Sequence, residues 1–347
     1  MTAIAILGAG YMGSAFAHVA AERGHDVRLW GTWLDDELVG PARRGEPHPR
    51  LRMRLDAHVR LFFSPELEVA LRGAEAVVCG VNSDGVLPVL SRALPHLPAS
   101  APLLSLTKGF ITDEAGRIER ISRAVRALLR PAGKDRPYVA VGGPCKAMEV
   151  ARRVSTSVVF ASDAPDVAEL CAGWLERETY TITRSDDLAG VETCSAFKNA
   201  YATASGLCDG LQLRGHPEMY NTKAMLFTQA TVEIARMAVA MGGRRETAQG
   251  LAGVGDLHVT AAAGRNRAYG ENVGRGGRPA EVAAEMARLG ELTEGYPALK
   301  TGWELLLRLA AEGRLATGDF PLLDALHRVV YEDAEVGATL AGLRIRA

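Results

Sequence analysis

The sequence Ile4-Ala-Ile-Leu-Gly8-Ala-Gly10-Tyr-Met-Gly13-Ser-Ala-Phe16 decides the fold of the first part of this chain. Four apolar residues lead directly into Gly-x-Gly-x-x-Gly, and apolar residues then recur at helical spacing. Gly24 is placed to end that helix, and Val27–Trp30 has the apolar character of a second strand. Strand, glycine turn, helix and strand in this order are the context in which the glycines indicate a dinucleotide site.

Each glycine of the Gly8-x-Gly10-x-x-Gly13 motif, called the fingerprint below, has a separate physical task. Gly8 permits the tight turn, Gly10 lets the backbone approach a pyrophosphate, and Gly13 lets the helix pack close to the strand. The free N–H groups at the start of the helix then face the phosphates. We therefore predict cofactor contacts at Gly8, Gly10, Tyr11, Met12 and Gly13. A glycine-rich turn that binds nothing is the alternative.

The end of the second strand bears on the choice between NAD and NADP. NAD-selective sites place Asp or Glu there, where the carboxylate holds the ribose 2′-hydroxyl. Here Trp30 is followed by Gly31-Thr32-Trp33-Leu34, and the first acid is Asp35. We predict that Trp30 and Thr32 border the cofactor and that NADP is favoured slightly over NAD. Downstream arginines could meet a 2′-phosphate, although a solvated basic loop explains any single one equally well; they are Arg43, Arg44, Arg50, Arg52 and Arg54.

Length and composition restrict the class of protein. The chain has 347 residues, enough for two domains, and its 40 Lys and Arg balance 41 Asp and Glu, so no basic field for nucleic acid is expected. The 5 cysteines form an odd set without a CxxC pair, which argues against a disulfide framework and against a structural zinc. No signal-peptide pattern and no apolar run of about 20 residues stands out. We expect a cytoplasmic protein with no metal, no membrane span and no nucleic-acid partner.

The pattern of elements predicts two domains of different class. Apolar strands alternate with helices as far as residue 186, which favours a doubly wound, mostly parallel sheet with its ligand at the carboxyl ends of the strands. The predicted later strands are Ala76–Val81, Leu103–Thr107, Tyr138–Val141, Ser157–Ala161 and Tyr180–Thr183. From 187 onward helical stretches dominate, including Ala224–Met241, Ala280–Leu289 and Thr301–Leu309. We predict a dinucleotide-binding Rossmann domain at 1–186 and a helical substrate domain at 187–347.

Two motifs of the first domain lie at strand ends. Thr107-Lys108-Gly109 follows an apolar strand, so that Lys108 can hold a substrate oxygen or a phosphate as a point charge. Gly142–Val150 leaves a strand through a Gly-Pro turn and begins a helix, which again presents backbone N–H groups. Cys145 lies in this turn and is interpreted as a packing residue. In isolation this motif favours an ordinary surface lysine at Lys108.

A lysine inside an apolar helix is the strongest catalytic candidate. Lys198 and Asn199 stand side by side in the largely apolar segment Gly190–Ala202. A buried lysine must be paired or must lose its charge, and burial moves its pKa towards the range of a general acid that works near pH 7. A lysine whose ammonium group reaches solvent is the alternative.

A glycine run and a basic turn complete the candidate site. Gly250–Gly255 is predicted to form a loop that approaches a ligand, and Asp256 after it could hold Lys198 or a substrate hydroxyl. Arg265 offers a bidentate donor for a phosphate and Asn266 offers an amide. A plain polar turn would explain the same residues.

The motifs GAGxxG, TKG, GGPxxAxEV, GVE…KN, GLAGVGDL…T, GRN and EG occur in this order from Ile4 to about Tyr331. As an ordered set they resemble the NAD(P)-dependent sn-glycerol-3-phosphate dehydrogenases. The resemblance implies reversible reduction of dihydroxyacetone phosphate to sn-glycerol 3-phosphate, feeding glycerophospholipid synthesis. It also implies a Rossmann domain, a helical domain and a homodimer.

The resemblance further implies roles for single residues. It makes Lys198 the catalytic acid/base, and it makes Lys108 and Asp256 catalytic residues beside it. The implied substrate-binding residues are Lys108, Gly143, Lys198, Asn199, Asp256, Thr260, Arg265 and Asn266. The implied cofactor contacts, besides those predicted from the fingerprint and the second strand, are Lys108, Ala147, Arg265 and Glu294.

Two alternative interpretations of the function remain open at this point: a related dehydrogenase or reductase, and a non-catalytic sensor. The 6-phosphogluconate and β-hydroxyacid dehydrogenases and ketopantoate reductase share this domain order, but their catalytic lysine is usually followed by Asn four residues later, whereas Asn199 is adjacent here. A non-catalytic NAD(P)-binding sensor would be expected to lack Lys198, Lys108 or Asp256, and all three are present.

Five positions depart from the pattern of the family. Cys145, Lys146 and Gly264 stand where members usually carry a hydroxyl residue, an aromatic residue and a serine respectively. Tyr11 and Met12 stand where Ser-Trp or a similar pair is common. The departures leave the exact phosphate ester open, and they leave the reaction class unchanged. The sequence also leaves open the preference between NAD and NADP, the physiological direction and the oligomeric state.

Overall fold

The computed structural model describes residues 1–113, 116–291 and 293–345. The chain divides into two compact units, Met1–Leu188 and Ala189–Ala347. The first unit is α/β and the second is helical. The predicted fold class, a doubly wound sheet followed by a helical domain, is therefore confirmed.

The first unit alternates strands and helices. Its strands in the described residues are β1 (Ala3–Leu7), β2 (Asp26–Trp30), β3 (Val59–Phe62), β4 (Ala76–Cys79), β5 (Leu103–Ser105), β6 (Phe110–Thr112), β7 (Ile118–Arg120), β8 (Tyr138–Gly142), β9 (Thr156–Ala161) and β10 (Tyr180–Ser185). Its helices are α1 (Tyr11–Ala21), α2 (Asp36–Arg43), α3 (Leu67–Leu71), α4 (Ser83–Ala93), α5 (Ile121–Leu129), α6 (Ala147–Ala151) and α7 (Pro165–Leu175).

The main sheet has the strand order β10-β9-β8-β5-β4-β1-β2-β3 in the described part of the unit. Neighbouring strands are parallel except for β8 and β9, which are antiparallel. The chain adds β2 and β3 on one side of β1 and then crosses to β4 on the other side. In such sheets the ligand crevice lies at this switch point, outside the carboxyl ends of the strands. The fingerprint follows β1 directly.

Helices cover the apolar strands of this sheet. β1 and β4 are apolar almost throughout, as expected for parallel strands that are buried on both faces. Phe16 of α1 is fully buried and packs edge-to-face on Tyr180 of β10, with ring centroids 6.2 Å apart. This contact helps to hold α1, whose first turn belongs to the fingerprint, against the sheet.

The second unit consists of helices. They are α8 (Leu188–Leu213), α9 (Tyr220–Ala240), α10 (Arg245–Gln249), α11 (Asp256–Ala262), α12 (Arg265–Gly274), α13 (Pro279–Arg288), α14 (Gly295–Ala311), α15 (Pro321–Tyr331) and α16 (Val336–Gly342). The predicted helices correspond to α9, α13 and α14, although α14 begins at Gly295 rather than at Thr301. Within the described ranges, none of the helices combines the length and the apolar composition of a bilayer-spanning segment.

Glycines bring α8 and α12 into backbone contact. A Cβ atom on Gly206 of α8 would overlap the carbonyl oxygen of Arg267, and one on Gly270 of α12 would overlap that of Thr203. Gly210 and Gly274 make equivalent approaches further along the same crossing. The crossing fixes α12, which begins at Arg265, against the helix that carries Lys198.

A buried carboxylate ties α15 to α8 and α9. Glu233 of α9 is 0% exposed and accepts hydrogen bonds from the Tyr201 hydroxyl (2.8 Å) and the Gln229 amide (2.8 Å). It also accepts the backbone N–H groups of Leu322 (2.7 Å) and Leu323 (2.9 Å), which are unsatisfied by the helix itself at the start of α15. Burial raises the pKa of this carboxyl, while the four donors oppose that shift.

Candidate active site

Two positions of the fingerprint turn, Gly8 and Gly13, leave no room for a Cβ atom. Gly8 has a φ of +109°, and a Cβ atom there would lie 2.7 Å from Cγ1 of Val81, just after β4. A Cβ atom on Gly13 would overlap the carbonyl oxygen of Gly8. Gly10 precedes α1, whose first turn has no capping side chain and no acidic residue. The N–H groups of that turn therefore suit an anion such as a pyrophosphate.

The peptide groups of Ala9, between the first two glycines, are held by side chains from outside the turn. Its N–H donates to Asp35 Oδ2 at 3.2 Å. Its carbonyl oxygen lies 3.0 Å from His48 Nε2 and accepts a hydrogen bond from the Ser14 hydroxyl at 3.1 Å. Sequence reasoning missed both Asp35 and His48 as parts of the site, and neither residue stands in a recognisable motif.

The end of β2 differs from an NAD-selective site. Besides the N–H of Ala9, Asp35 Oδ2 accepts the N–H and the hydroxyl of Thr32, both at 2.9 Å. The predicted cofactor contact at Trp30 is wrong for its side chain, which is 0% exposed and whose indole N–H donates to the Ser64 carbonyl at 3.1 Å. The carboxylate after β2 therefore stabilises the turn itself.

One of the predicted downstream arginines lies at the fingerprint. The Arg50 guanidinium stacks 5.6 Å from the centroid of the Tyr11 ring, and its Nη1 would lie 3.6 Å from a Cβ atom built on Gly10. Arg43 and Arg44 instead pair with glutamates at 2.7 Å. Of these three arginines, Arg50 is the one that lies at the fingerprint turn.

Lys108 lies at the carboxyl ends of the strands of the first unit. Its Nζ donates to the carbonyl oxygen of Gly143 at 2.8 Å, and the hydroxyl of the preceding Thr107 donates to the Val81 carbonyl at 2.7 Å. These bonds join the ends of β4, β5 and β8. Gly143 has a φ of +98°, which favours glycine there. Ala147 begins α6 close to the same turn.

Lys198 forms a buried ion pair with Asp256. Lys198 of α8 is 8% exposed, Asp256 at the start of α11 is 0% exposed, and the ammonium group donates to the carboxylate. The pairing that an apolar helix requires of its lysine is confirmed. The predicted loop before Asp256 is wrong, because Leu251–Gly255 forms a π-helical turn that runs into α11. Gly253 allows this turn, since a Cβ atom there would overlap the Ala248 carbonyl.

Three polar side chains behind this pair form a directional network. Asn266 Nδ2 donates to Asn199 Oδ1 (2.9 Å), and Asn199 Nδ2 donates to Glu294 Oε2 (2.9 Å). Asn266 Oδ1 accepts the N–H of Gly295 at 2.8 Å, where α14 begins. Each amide nitrogen carries a second hydrogen, and both amide oxygens accept within the protein. Asn266 is 6% exposed and one of its two amide hydrogens is already donated to Asn199. It can therefore donate fewer hydrogen bonds to a phosphate than the sequence suggested.

Arg265 is placed differently from its neighbour. It is exposed at the first position of α12, whose first turn contains no acidic residue. In the described part of the chain no carboxylate forms a salt bridge with it, whereas Arg267 pairs with Asp209 at 2.7 Å. The start of α12 thus combines an arginine with free backbone N–H groups, a combination suited to a phosphate.

Thr260 of α11 is half-buried and donates its hydroxyl proton to the Asp256 carbonyl at 2.7 Å.

Comparison with known proteins covers both units. Residues 3–168 match the family model described as NAD-dependent glycerol-3-phosphate dehydrogenase N-terminus. Residues 187–341 match the model described as NAD-dependent glycerol-3-phosphate dehydrogenase C-terminus. Each match contains the motifs that sequence analysis placed in the corresponding part of the chain.

Individual relatives agree with the family models over nearly the whole length. The chain is 38% identical to NADP(+)-dependent glycerol-3-phosphate dehydrogenase of Archaeoglobus fulgidus, with 97% of both chains covered. It is 30% identical to glycerol-3-phosphate dehydrogenase [NAD(P)+] of Citrifermentans bemidjiense, with 99% of this chain and 97% of the relative covered. The crystal structure of glycerol-3-phosphate dehydrogenase from Coxiella burnetii superposes with a TM-score of 0.81 at 28% identity, covering 97% of both chains. The chain therefore belongs to the NAD-dependent glycerol-3-phosphate dehydrogenase family.

Proposed function

We propose that this chain interconverts dihydroxyacetone phosphate and sn-glycerol 3-phosphate with NAD(P), using Lys198 as the general acid/base. The chain is an oxidoreductase, as its full-length relatives are. The observation that carries the assignment of Lys198 is its burial together with its ion pair to Asp256. A proton donor held in one place by a buried carboxylate is what reduction of a carbonyl requires.

The chemistry that bound NAD(P) supplies is hydride transfer, and residues of the chain handle the proton. As the carbonyl carbon of dihydroxyacetone phosphate is reduced, negative charge develops on its oxygen. The Lys198 ammonium donates a proton to that oxygen, while Asp256 fixes the direction of the donor. In the reverse direction the neutral amine of Lys198 accepts the hydroxyl proton. Lys108, held by the Gly143 carbonyl, serves as a fixed positive charge for substrate or cofactor oxygens.

We assign the substrate phosphate to the start of α12. Arg265 supplies the guanidinium, and the first backbone N–H groups of the helix supply further donors. Thr260 and the remaining amide hydrogens of Asn199 and Asn266 complete the assigned set. The network from Asn266 to Glu294 holds the starts of α12 and α14 together. Glu294 remains assigned to the cofactor.

We assign NAD(P) to the fingerprint turn, with NADP favoured slightly. The glycine-only backbone at Gly8 and Gly13 fits a pyrophosphate. The Asp35 carboxylate is engaged by Thr32 and by the turn, and Arg50 offers a cation beside Gly10 that could meet a 2′-phosphate. The relative from Archaeoglobus fulgidus is named as NADP(+)-dependent.

The preference for NADPH is testable through Arg50. We expect kcat/KM with NADPH to equal or exceed that with NADH at fixed dihydroxyacetone phosphate. Arg50→Ala should lower the NADPH value about tenfold more than the NADH value, because a charge-assisted contact to the 2′-phosphate contributes about 1.5 kcal/mol or more. Arg44→Ala, whose guanidinium pairs with Glu46 at 2.7 Å instead, is the matched control. A preference of the wild type for NADH of about a hundredfold, or about 2.7 kcal/mol, would contradict the assignment.

The reaction is tested by a substrate panel. NADPH oxidation is followed with dihydroxyacetone phosphate, other phosphorylated ketones, ketopantoate and further 2-keto acids. We expect the highest kcat/KM for dihydroxyacetone phosphate, and among the phosphorylated ketones the panel also tests the departures at Cys145, Lys146 and Gly264. Faster turnover of a 2-keto acid without a phosphate would favour the ketopantoate-reductase alternative. NADPH binding without turnover of any substrate would favour the sensor.

We further propose that residues 1–186 form the cofactor domain and 187–347 the substrate domain of a cytoplasmic homodimer that feeds glycerophospholipid synthesis. The order of motifs along the chain supports the domain assignment, and the resemblance to the family supports the dimer. None of the 5 cysteines, all of which lie in described residues, forms a disulfide, in keeping with a reducing compartment. Light scattering on the eluting protein would measure the oligomeric state, and a mass close to 37.0 kDa would contradict the dimer.

A further inference from the structure

A loop after α2 folds back onto the fingerprint turn through one buried histidine. His48 is 0% exposed, although it stands between two prolines in a polar segment. Its backbone N–H donates to the Met53 carbonyl at 2.8 Å, which closes the loop His48–Met53. The loop therefore has a defined conformation with an imidazole directed inward.

Hydrogen bonds on both ring nitrogens define the form of this imidazole. The backbone N–H of Leu51 donates to Nδ1 at 3.3 Å, so Nδ1 carries no proton. Nε2 therefore carries the proton, and it lies 3.0 Å from the Ala9 carbonyl oxygen and 3.1 Å from the Ser14 hydroxyl. Only the neutral imidazole with its proton on Nε2 satisfies all of these contacts.

The two peptide groups of Ala9, one on each side of its Cα atom, form part of the fingerprint turn. Ala9 lies between Gly8 and Gly10, and glycines on both sides would let an unanchored peptide rotate. His48 fixes its carbonyl group, while Asp35 fixes its N–H. The same loop carries Arg50, which lies against Gly10 and the Tyr11 ring. The contact of His48 with Ala9 thus connects the fingerprint turn to the loop that carries Arg50.

We propose that His48 is a positioning residue for the dinucleotide, which holds the Ala9 peptide and the Arg50 loop in the conformation that binds the cofactor phosphates. The proposal rests on the proposed function, since it takes the fingerprint turn as the phosphate site. His48 itself contacts no phosphate, because its ring is buried and both nitrogens are bonded within the protein.

The surroundings of His48 give this role a pH dependence. Burial is the main cause that lowers the pKa of His48 below its usual value, and Arg50 and His18 of α1 add to that effect. The bond to Ala9 and the charge of Asp35 oppose it. His48 is therefore neutral at pH 7. When it takes up a proton at lower pH, the new N–H on Nδ1 faces the Leu51 N–H, so cofactor affinity should fall as pH falls.

The test measures the Kd of the full-length protein for NADPH by fluorescence titration. His48→Ala should raise Kd about tenfold, because it removes the buried hydrogen bond from the ring to the Ala9 carbonyl, which then keeps the bond from the Ser14 hydroxyl. At saturating NADPH, kcat should stay within about twofold of wild type, as expected when binding alone is impaired. His58→Ala, an exposed histidine with 68% of its side chain accessible, is the control and should change neither value.

A second variant separates positioning from general stability. His48→Gln keeps an N–H donor near the position of Nε2 and does not titrate. Its Kd should stay within about threefold of wild type at neutral pH. The ratio of wild-type Kd to His48→Gln Kd should rise as pH falls below the ordinary histidine pKa of about 6.5 towards the lowered pKa of His48. Titration of the cofactor itself cancels in this ratio.

The outcomes distinguish the inference from the function on which it rests. A wild type that binds NADPH, together with His48→Ala binding within about twofold of it, overturns the inference alone, whatever the melting temperature. Should His48→Ala fail to fold, a ratio for His48→Gln that stays constant down to the lowest pH at which both proteins remain folded overturns it. A wild type that binds neither NADPH nor NADH overturns the proposed function and the inference together.

Discussion

Replacement of Lys198 by methionine is expected to lower kcat by at least about 10²–10⁴-fold, the contribution of a positioned general acid. Methionine is nearly isosteric with the lysine stem but has no proton to give. Binding of NADPH should be unchanged, because the fingerprint turn is formed by other residues of the chain. Steady-state kinetics with dihydroxyacetone phosphate and a separate NADPH titration measure the two quantities.

The ion pair makes a second variant necessary. Asp256 is 0% exposed, and the methionine variant removes the ammonium charge that pairs with its carboxylate, which costs about 3–5 kcal/mol of stability. The double variant Lys198→Met/Asp256→Asn removes both charges and should recover much of the lost Tm. Its kcat should stay as low as that of the single variant. If Lys198→Met instead keeps turnover within about tenfold of wild type, the proton comes from elsewhere, and Lys108 becomes the residue to test.

The parts of this site that sequence predicted are those set by local chemistry. Gly8 and Gly13 are required by backbone approaches within one βαβ unit, so their spacing alone indicates the turn. Because an apolar helix surrounds Lys198, the sequence indicated that its ammonium group must be paired or neutral. It offered Asp256 as a partner either for Lys198 or for a substrate hydroxyl, and the structure pairs Asp256 with Lys198. The glycine spacing and the need of Lys198 for a partner can be read from neighbouring residues in sequence, whereas the partner itself stands 58 residues away.

The contacts that sequence reasoning missed join distant segments. His48 and Asp35 reach Ala9 from loops whose paths no periodicity encodes. Trp30 was assigned to the cofactor because it ends β2, but in a sheet covered on both faces Leu29 and Trp30 are both buried. A strand of this kind lacks the alternation that would show which way its last side chain points.

Helix geometry explains why Arg265 and Asn266 differ. As neighbours in sequence they were assigned jointly to the phosphate, yet successive residues of a helix point about 100° apart. On α12 this turns Arg265 towards solvent and Asn266 into the unit, where it bonds Asn199 and Gly295. The basic turn read from the sequence is in fact the first turn of a helix.

Arg265→Lys is accordingly expected to lower kcat/KM for dihydroxyacetone phosphate about 10- to 100-fold, since hydrogen bonds to charged groups contribute about 1.5–3 kcal/mol. Lysine keeps the charge but loses the bidentate geometry that matches a phosphate. The exposed position of Arg265 at the start of α12 leaves the packing of the unit intact, so Tm should not change. Arg275→Lys, at the other end of the same helix, is the matched control; it pairs with Glu271 at 2.6 Å and should keep full activity.

A substrate without the phosphate isolates the role of Arg265. Reduction of dihydroxyacetone is slow in either protein, but its kcat/KM should be nearly the same in wild type and Arg265→Lys, because no phosphate is present to lose a contact. The ratio of the two substrates therefore reports phosphate recognition independently of any effect on the cofactor, for which the KM of NADPH is measured in parallel. Equal losses with both substrates would assign Arg265 to the cofactor or to the reacting carbonyl instead. Full activity with both would leave the backbone at the start of α12, without its arginine, as the phosphate site.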